Sequence, residues 1–355
     1  MKRRTSLPVQ VGNLTIGGTA PIAVQTMSTV NPAYEDKAIA DAKRLASYGA
    51  ELIRFAVPDM AAAKGLKAVV AASSVPIVAD IHFDYRLALE AVDSGVQALR
   101  INPGNIGTEE NVIKVVEKVK PRHIPIRIGI NTGSLPEDIL KAYGGHPTAS
   151  GMVEGALRHI RILEQLHYRN MVISLKASQV PLMIEAYREL ADKVPYALHL
   201  GVTEAGLVRE GSIKSAIGIG TLLYQGIGDT IRVSLTSDPA EEVKVGQTIL
   251  SSLGLRSFGP TLISCPTCGR TKVNLIALAQ KVEEAISHLT VPIKVAVMGC
   301  VVNGPGEARE ADFGIAGGNG SGIVFSHGQV LRTVPENQLV SSLLEEIHKS
   351  LTKES

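Results

Sequence analysis

Residues 20–250 alternate between short β-rich runs and longer helical patterns, and this alternation constrains the fold more than any other feature of the chain. Strand–helix repetition at such spacing is the pattern of βαβ units around a parallel sheet. Strands are expected over residues 22–27, 51–57, 76–81, 97–102, 125–131, 171–176, 197–202 and 230–235. Helical stretches follow them at roughly 35–48, 60–72, 84–94, 108–119, 150–166, 179–193, 211–225 and 240–252. Eight units in this length predict a TIM (β/α)8 barrel rather than an open doubly wound sheet. No G-x-G-x-x-G follows the first strand, and no G-x-x-x-x-G-K-[ST] occurs. Gly218-Ile219-Gly220 lies in or beside a helix, the wrong context for a dinucleotide fingerprint.

After Leu253 the rhythm changes, which divides the chain into a barrel (1–253), a linker (254–260) and a small α+β domain (261–355). In that domain Thr261–Ser264 reads as a strand, residues 272–289 as a helix, and Val291–Met298 as a second strand. The helix places Leu275, Leu278, Val282, Ile286 and Leu289 on one stripe. Three short β runs between Phe313 and Val334 and a helix over 336–350 follow, and Gly317–Gly322 reads as a turn rather than a phosphate loop.

All three cysteines lie in this last domain. Met1-Lys2-Arg3-Arg4 has the look of a signal n-region, but Thr5–Gly18 is polar and Gly-rich and supplies no apolar core. No apolar run is long enough to span a bilayer. The expected compartment is therefore the cytoplasm, where three Cys are not a disulfide framework. A net charge of +2, 4% aromatic residues and no Trp argue against a nucleic-acid footprint.

Cys265-Pro-Thr-Cys268 follows a short strand, and Cys300 follows another and opens the run to Gly304-Pro305-Gly306-Glu307. Glycine and proline there allow the backbone to wrap a compact metal centre. A redox dithiol, a structural zinc site and three unrelated buried thiols are the competing readings. The third Cys weighs against the first, and His288 and His327 lack finger spacing, against the second. A [4Fe–4S] cluster on Cys265, Cys268 and Cys300 is expected, with Glu307 as a fourth, exchangeable ligand that would leave one iron open to substrate.

The barrel strands carry charges where parallel strands are normally apolar on both faces. Arg54, Arg100, Arg127 and Arg232 lie in four different strands, Lys176 ends the sixth, and His82 follows the third. Charges so placed must be paired or point into a polar site, and the strand ends of a TIM barrel line its active site. Four Arg converging there suit a substrate with two or more phosphates. Taken singly, each Arg is more readily an ion-pair partner; four at equivalent positions reverse that. Asn102, Asn131, Ser174, Thr203 and Ser234 also sit near strand ends, as donors or as turn and cap residues. Glu204 is the outstanding carboxylate beyond the seventh strand, an acid–base candidate or an ion-pair partner of the ring. His199 reads as a hydrogen-bonded core histidine.

Five runs together resemble one family: Arg100-Ile-Asn-Pro-Gly-Asn-Ile-Gly107, Ser174-Leu-Lys-Ala-Ser178, His199-Leu-Gly-Val-Thr-Glu-Ala-Gly206, Cys265-Pro-Thr-Cys268 and Gly299-Cys-Val-Val-Asn-Gly-Pro-Gly-Glu307. The family is the bacterial 4-hydroxy-3-methylbut-2-enyl diphosphate synthases of the non-mevalonate isoprenoid pathway, and the resemblance covers essentially the whole chain. It implies reductive opening and dehydration of 2-C-methyl-D-erythritol 2,4-cyclodiphosphate, with ferredoxin or flavodoxin as electron donor. It implies cluster ligands at Cys265, Cys268, Cys300 and Glu307. It implies diphosphate contacts at Arg54, His82, Arg100, Arg127, Asn131, Lys176, Arg232 and Ser234. A non-catalytic iron–sulfur carrier and a barrel transferase similar to dihydropteroate synthase stand as alternatives, though a carrier has no use for the Arg ring.

The last barrel helix should run away from the strand-end face, so the linker leaves from the opposite face. Seven residues, 254–260, reach at most about 25 Å, whereas the path outside the barrel and over its rim needs roughly 30 Å or more. A head-to-tail homodimer is therefore expected, with each cluster facing its partner's barrel, as the resemblance also implies.

Overall fold

The computed structural model describes residues 2–300 and 308–353. The chain divides into two compact units, the first ending at Arg256 and the second beginning at Ser257.

The first unit opens with an antiparallel hairpin, β1 (Val9–Val11) and β2 (Leu14–Ile16), turning at Gly12 in the left-handed region (φ +58°). The barrel follows: β3 (Ala23–Met27), α1 (Glu35–Ser47), β4 (Leu52–Ala56), α2 (Met60–Ala72), β5 (Ile77–Asp80), α3 (Tyr85–Asp93), β6 (Ala98–Ile101) and α4 (Glu109–Val119). Then come β7 (Ile126–Asn131), α5 (Glu137–Ala142), α6 (Ala149–Gln165), β8 (Met171–Lys176), α7 (Val180–Lys193), β9 (Ala197–Leu200), α8 (Val208–Tyr224), β10 (Thr230–Ile231) and α9 (Pro239–Ser252). The eight strands β3–β10 close into a barrel in which β10 pairs with β3, and every pairing is parallel. The expected barrel is thus what forms. The last strand is shorter than expected, because the backbone beyond it turns aside and Leu235 N–H donates to Glu242 of α9 at 3.0 Å. Helix starts carry local signals: Asp59, Thr148 and Asp238 side chains accept from N–H groups of the first turns of α2, α6 and α9, and Pro239 opens α9.

Side chains alternate across a strand, so every second residue points into the barrel. At the floor these are Leu52, Val78, Ala98, Val172 and Ala197, packed on Val9, Val11 and Ile16 of the hairpin. Two residues further along the same strands stand Arg54, Asp80, Arg100, Ser174 and His199. The hairpin therefore supplies the apolar plug that the polar upper layers cannot. Arg3 and Arg4, which resemble a signal n-region in sequence, clamp this floor. Arg3 pairs with buried Asp229 at 3.0 Å, and Arg4 donates to the carbonyls of Ala191, Val194 and Tyr196. Asp229 also accepts from Ser6 Oγ and Leu198 N–H, each at 2.9 Å.

Gly254, at φ +65°, ends α9, and the chain does not run free from there. Arg256 donates to Ile22 O at 2.9 Å and pairs with Glu51 at 2.6 Å, next to the starts of β3 and β4. The exit is thereby pinned to the floor.

The second unit holds β11 (Thr261–Ser264), α10 (Leu275–Ile286), β12 (Lys294–Met298), β13 (Phe313–Gly317), β14 (Ser321–Ser326), β15 (Gln329–Pro335) and α11 (Leu339–Lys353). They form a five-stranded sheet in sequence order, parallel through β13 and antiparallel thereafter. Leu275, Leu278, Val282 and Ile286 of α10 and Leu339, Leu343 and Ile347 of α11 bury one sheet face against Val295, Val297, Ile315 and Val324. Gly317 and Gly322 pair across the β13–β14 turn.

Replacing Asp229 by Ala leaves Leu198 N–H and Arg3 without their buried acceptor. Removing one partner of a buried ion pair costs about 3 kcal/mol. Thermal unfolding of Asp229→Ala should therefore show a lower midpoint than wild type, and an unchanged midpoint would refute the clamp.

Candidate active site

The C-terminal strand ends of the barrel enclose a concave space of about 100 Å³. Arg54 (β4), Arg100 (β6), Arg127 (β7) and Lys176 (β8) reach it from four strands, and Arg232 enters from just beyond β10. Asp80, His82, Asn131, Ser174, Thr203 and Ser234 complete the wall. Two glycines make room. A Cβ on Gly129 would lie 2.7 Å from Arg100 Nε, and one on Gly201 2.8 Å from Lys176 Nζ.

The carboxylates are fewer than the cations. Asp80 sits between two of them and an imidazole, 3.3 Å from Arg100, 3.5 Å from Arg54 and 3.5 Å from His82. Burial pushes the Asp80 carboxyl up, but Arg54, His82 and Arg100 outweigh it and hold it below the usual carboxylate range. Arg232 forms a two-pronged pair with Glu242 (2.9 and 3.2 Å), so it is partly a structural ion-pair residue. Among the described residues no carboxylate lies within ion-pair distance of Arg127 or Lys176. Burial first, then Arg232, Arg54 and Arg127, holds the Lys176 ammonium well below its ordinary pKa. Burial, then Arg54 and Arg100, does the same to Arg127. Such a cluster is short of negative charge and built to receive it.

Sequence expectations divide accordingly. Arg54, His82, Arg100, Arg127, Asn131, Ser174, Lys176, Arg232 and Ser234 do meet at one mouth. Asn102 does not: its Oδ1 accepts from Gly129 N–H at 3.0 Å, a buried link between neighbouring strands. Glu204 is exposed, outside that wall, and holds a left-handed backbone (φ +53°) that is uncommon for a non-glycine residue. His199 is buried and, among the described residues, has no hydrogen-bond partner on its ring, contrary to the expected bonded core histidine. Sequence reasoning gives Asp80 no role and misses Glu242. Counting by twos along β5 puts Asp80 on the inner face, whereas no periodicity aims Glu242 at the barrel from an outer helix.

In the second unit, parallel pairing of β11 with β12 brings Cys265 and Gly299-Cys300 to neighbouring strand ends. Gly299 N–H donates to Cys265 Sγ at 3.2 Å. Hydrogen bonds from Arg270, backbone and then side chain, hold the Cys268 thiol below its ordinary pKa. At Cys268 this favours thiolate, the form that binds iron. All three thiols are free and at least partly exposed. Among the described residues no three His, Cys, Asp or Glu side chains converge as a metal site. Glu307, the expected fourth ligand, lies outside the described residues. The donor type fits a cysteine-held cluster: three free thiols in one unit, Cys265 and Cys300 at neighbouring strand ends and Cys268 held toward thiolate.

The chain matches the family model described as the GcpE TIM-barrel domain over residues 6–247 and the GcpE protein C-terminal domain over 261–349. It is 54% identical to a 4-hydroxy-3-methylbut-2-en-1-yl diphosphate synthase (flavodoxin) of Caldanaerobacter subterraneus subsp. tengcongensis, covering 99% of each chain. Identity to the enzyme of the same name from Clostridium tetani is 53%, over 98% of this chain and 99% of that one. Among solved structures, dihydropteroate synthase from Stenotrophomonas maltophilia superposes with a TM-score of 0.51 at 14% identity, over 71% of this chain and all of that one. At that identity the likeness is one of fold alone.

Lys176 should gain a proton when an anion fills the mouth. Its pKa is depressed in the free site and rises on anion binding, so the gain in affinity is fully present below the free value and lost as pH rises through the bound value. Calorimetry of pyrophosphate binding in two buffers of different ionisation enthalpy should show proton uptake between those two values, absent in Lys176→Met.

Proposed function

The chain belongs to the GcpE family, and on that premise we propose that its barrel mouth binds the cyclic diphosphate and that the cysteines of the second unit would hold the redox centre for its reduction. The chain is an oxidoreductase that opens and dehydrates 2-C-methyl-D-erythritol 2,4-cyclodiphosphate to 4-hydroxy-3-methylbut-2-enyl diphosphate, in isoprenoid-precursor synthesis. Flavodoxin, which the names of its relatives carry, is the electron donor. One observation carries the reading: buried Arg127 and Lys176 have no carboxylate partner among the described residues, in a mouth of the size and position for a small anionic substrate.

Arg54, Arg100, Arg127, Lys176 and Arg232 bind the two phosphates, with His82, Asn131, Ser174 and Ser234 donating to the remaining oxygens. Asp80 orients Arg54 and Arg100 as Glu242 orients Arg232. Neutralising both phosphates in a dry, concave site fixes the ring with its scissile C–O bond toward the opening. Cys265, Cys268, Cys300 and Glu307 would hold a [4Fe–4S] cluster. When bound, it relays electrons and supplies a Lewis-acidic iron. Glu204, on the loop beyond β9, supplies or orients a proton for the departing oxygen.

The partner chain completes the site. With Arg256 pinned at the floor, the chain to Thr261 reaches only about 18 Å. That falls short of the roughly 30 Å needed to pass outside the barrel to its mouth. A head-to-tail homodimer, with each cluster facing its partner's barrel, satisfies this limit. No helix among the described residues is long and apolar enough to cross a membrane, and a cytoplasmic enzyme is proposed.

Anaerobically purified protein should be brown, contain iron and sulfide, and turn over the cyclic diphosphate with reduced flavodoxin. A colourless, inactive protein overturns the reading. Arg127→Ala should raise KM roughly 10- to 100-fold, the worth of a lost charged hydrogen bond. At substrate well below the raised KM, where Arg127→Ala chains are nearly inactive, mixing them with inactive Cys300→Ser chains should restore activity in heterodimers. No recovery after verified subunit exchange would sink the shared site. Glu204→Gln should lose turnover with its cluster intact.

A further inference from the structure

Beneath the cation cluster lies a group that the reaction scheme leaves unused. His199 points into the barrel from β9, is fully buried, and among the described residues neither ring nitrogen has a hydrogen-bond partner. Arg127 Nε is likewise buried and unpartnered. Both line an interior cavity of about 20 Å³ between the hairpin plug and the mouth. The other polar groups on its wall are engaged: Gln25 Oε1 accepts from Arg127 Nη1, and Thr230 Oγ1 donates to Ala23 O at 3.0 Å. The rest of the wall is apolar, from Val11 and Ile16 below to Leu52 and Val78 beside it.

Buried polar atoms are almost always satisfied, by protein or by an ordered water. A cavity of this size holds one water. The donor inventory suits it. Arg Nε–H can only donate, and a neutral imidazole offers one acceptor and one donor. His199 stays neutral, because burial and the cations Arg127, Lys176, Arg54 and Arg232 hold its pKa well below the ordinary value. An imidazolium would have no acceptor to offer. Among the described residues Arg127 alone lines both this cavity and the mouth. Its side chain therefore spans the two spaces, with Nη1 held by Gln25 of the lower one.

We propose that His199 is a positioning residue that anchors Arg127 through a single buried water in this cavity, holding the guanidinium toward the substrate's phosphates. Gln25 fixes one terminal nitrogen directly, and the water fixes Nε, so the fork cannot rotate away when the mouth is empty. The proposal deepens the diphosphate reading and rests on it.

The test uses the full-length holoenzyme, with inorganic pyrophosphate as the binding probe and the cyclic diphosphate for kinetics. His199→Leu should weaken pyrophosphate binding and raise KM by about tenfold, the loss of one supporting hydrogen bond, with kcat at saturation within about twofold. His199→Gln, whose amide can both accept and donate, should recover most of the affinity. A merely structural histidine would lower the unfolding midpoint in both variants and leave KM alone. Unchanged affinity in His199→Leu, or equal loss in His199→Gln, overturns the proposal. A high-resolution crystal structure of the wild-type enzyme supplies a check independent of variant folding. It should show one water within hydrogen-bond distance of the His199 ring and Arg127 Nε, and a dry cavity overturns it. Wild-type protein that fails to bind pyrophosphate at all would instead fell the diphosphate reading, and this anchor with it.

Discussion

Among the described residues five basic side chains meet at the barrel mouth against one carboxylate in its wall, Asp80, with Glu242 of α9 pairing Arg232 from outside, and most of the first unit can be understood as accommodating that imbalance. Buried charge without a partner is expensive, so the cluster persists only where the surrounding fold outweighs its cost. The barrel meets this by layering. Its lowest inward residues are apolar and close onto the hairpin, and the polar residues begin one pleat above. Gly129 and Gly201 leave the inner wall bare where Arg100 and Lys176 must lie along it. The same imbalance explains function, since an anionic substrate relieves a deficit that the protein itself carries.

The barrel is legible in the sequence because its signal is periodic. Alternating strand and helix textures predict the eight units, and the strand-borne arginines stand out against apolar neighbours. Edges are less legible. The expected strand through Leu235 stops at Ile231, because a contact with Glu242 diverts the backbone. The hairpin escapes the sequence reading although Val9-Gln-Val11 and Leu14-Thr-Ile16 alternate around Gly12-Asn13, a recognisable turn signature. Three-residue strands are too short to announce themselves against a polar background. Glu242, Arg4 and Arg256 are illegible for a deeper reason: their partners are chosen by closure of the whole barrel, and no local pattern encodes that. His199 differs from expectation because a sequence cannot show that a buried ring lacks a partner.

In the second unit the two sheet faces differ. One is covered by α10 and α11 over a broad aliphatic core. The other carries small residues, Ala296 and Ala316, beside Met298 and Phe325, packed with Ala308 and Ala311. Gly299 is equally constrained: a Cβ there would lie 3.1 Å from Thr271. Cys265 packs against this second cluster, at the strand ends where Cys265 and Cys300 emerge.

The clamp at Asp229 joins residues more than two hundred positions apart in sequence, since Arg3 and Ser6 both meet it. A growing polypeptide therefore cannot seal the barrel until the eighth strand has been synthesised. Contacts of such long separation form late, after their loop-closure entropy has been met. Until then Arg54, Arg100 and Arg127 stay hydrated in an open sheet, and their desolvation is deferred to the final step of assembly. The enzyme's most costly feature thus arises last, when the rest of the barrel is already in place to sustain it.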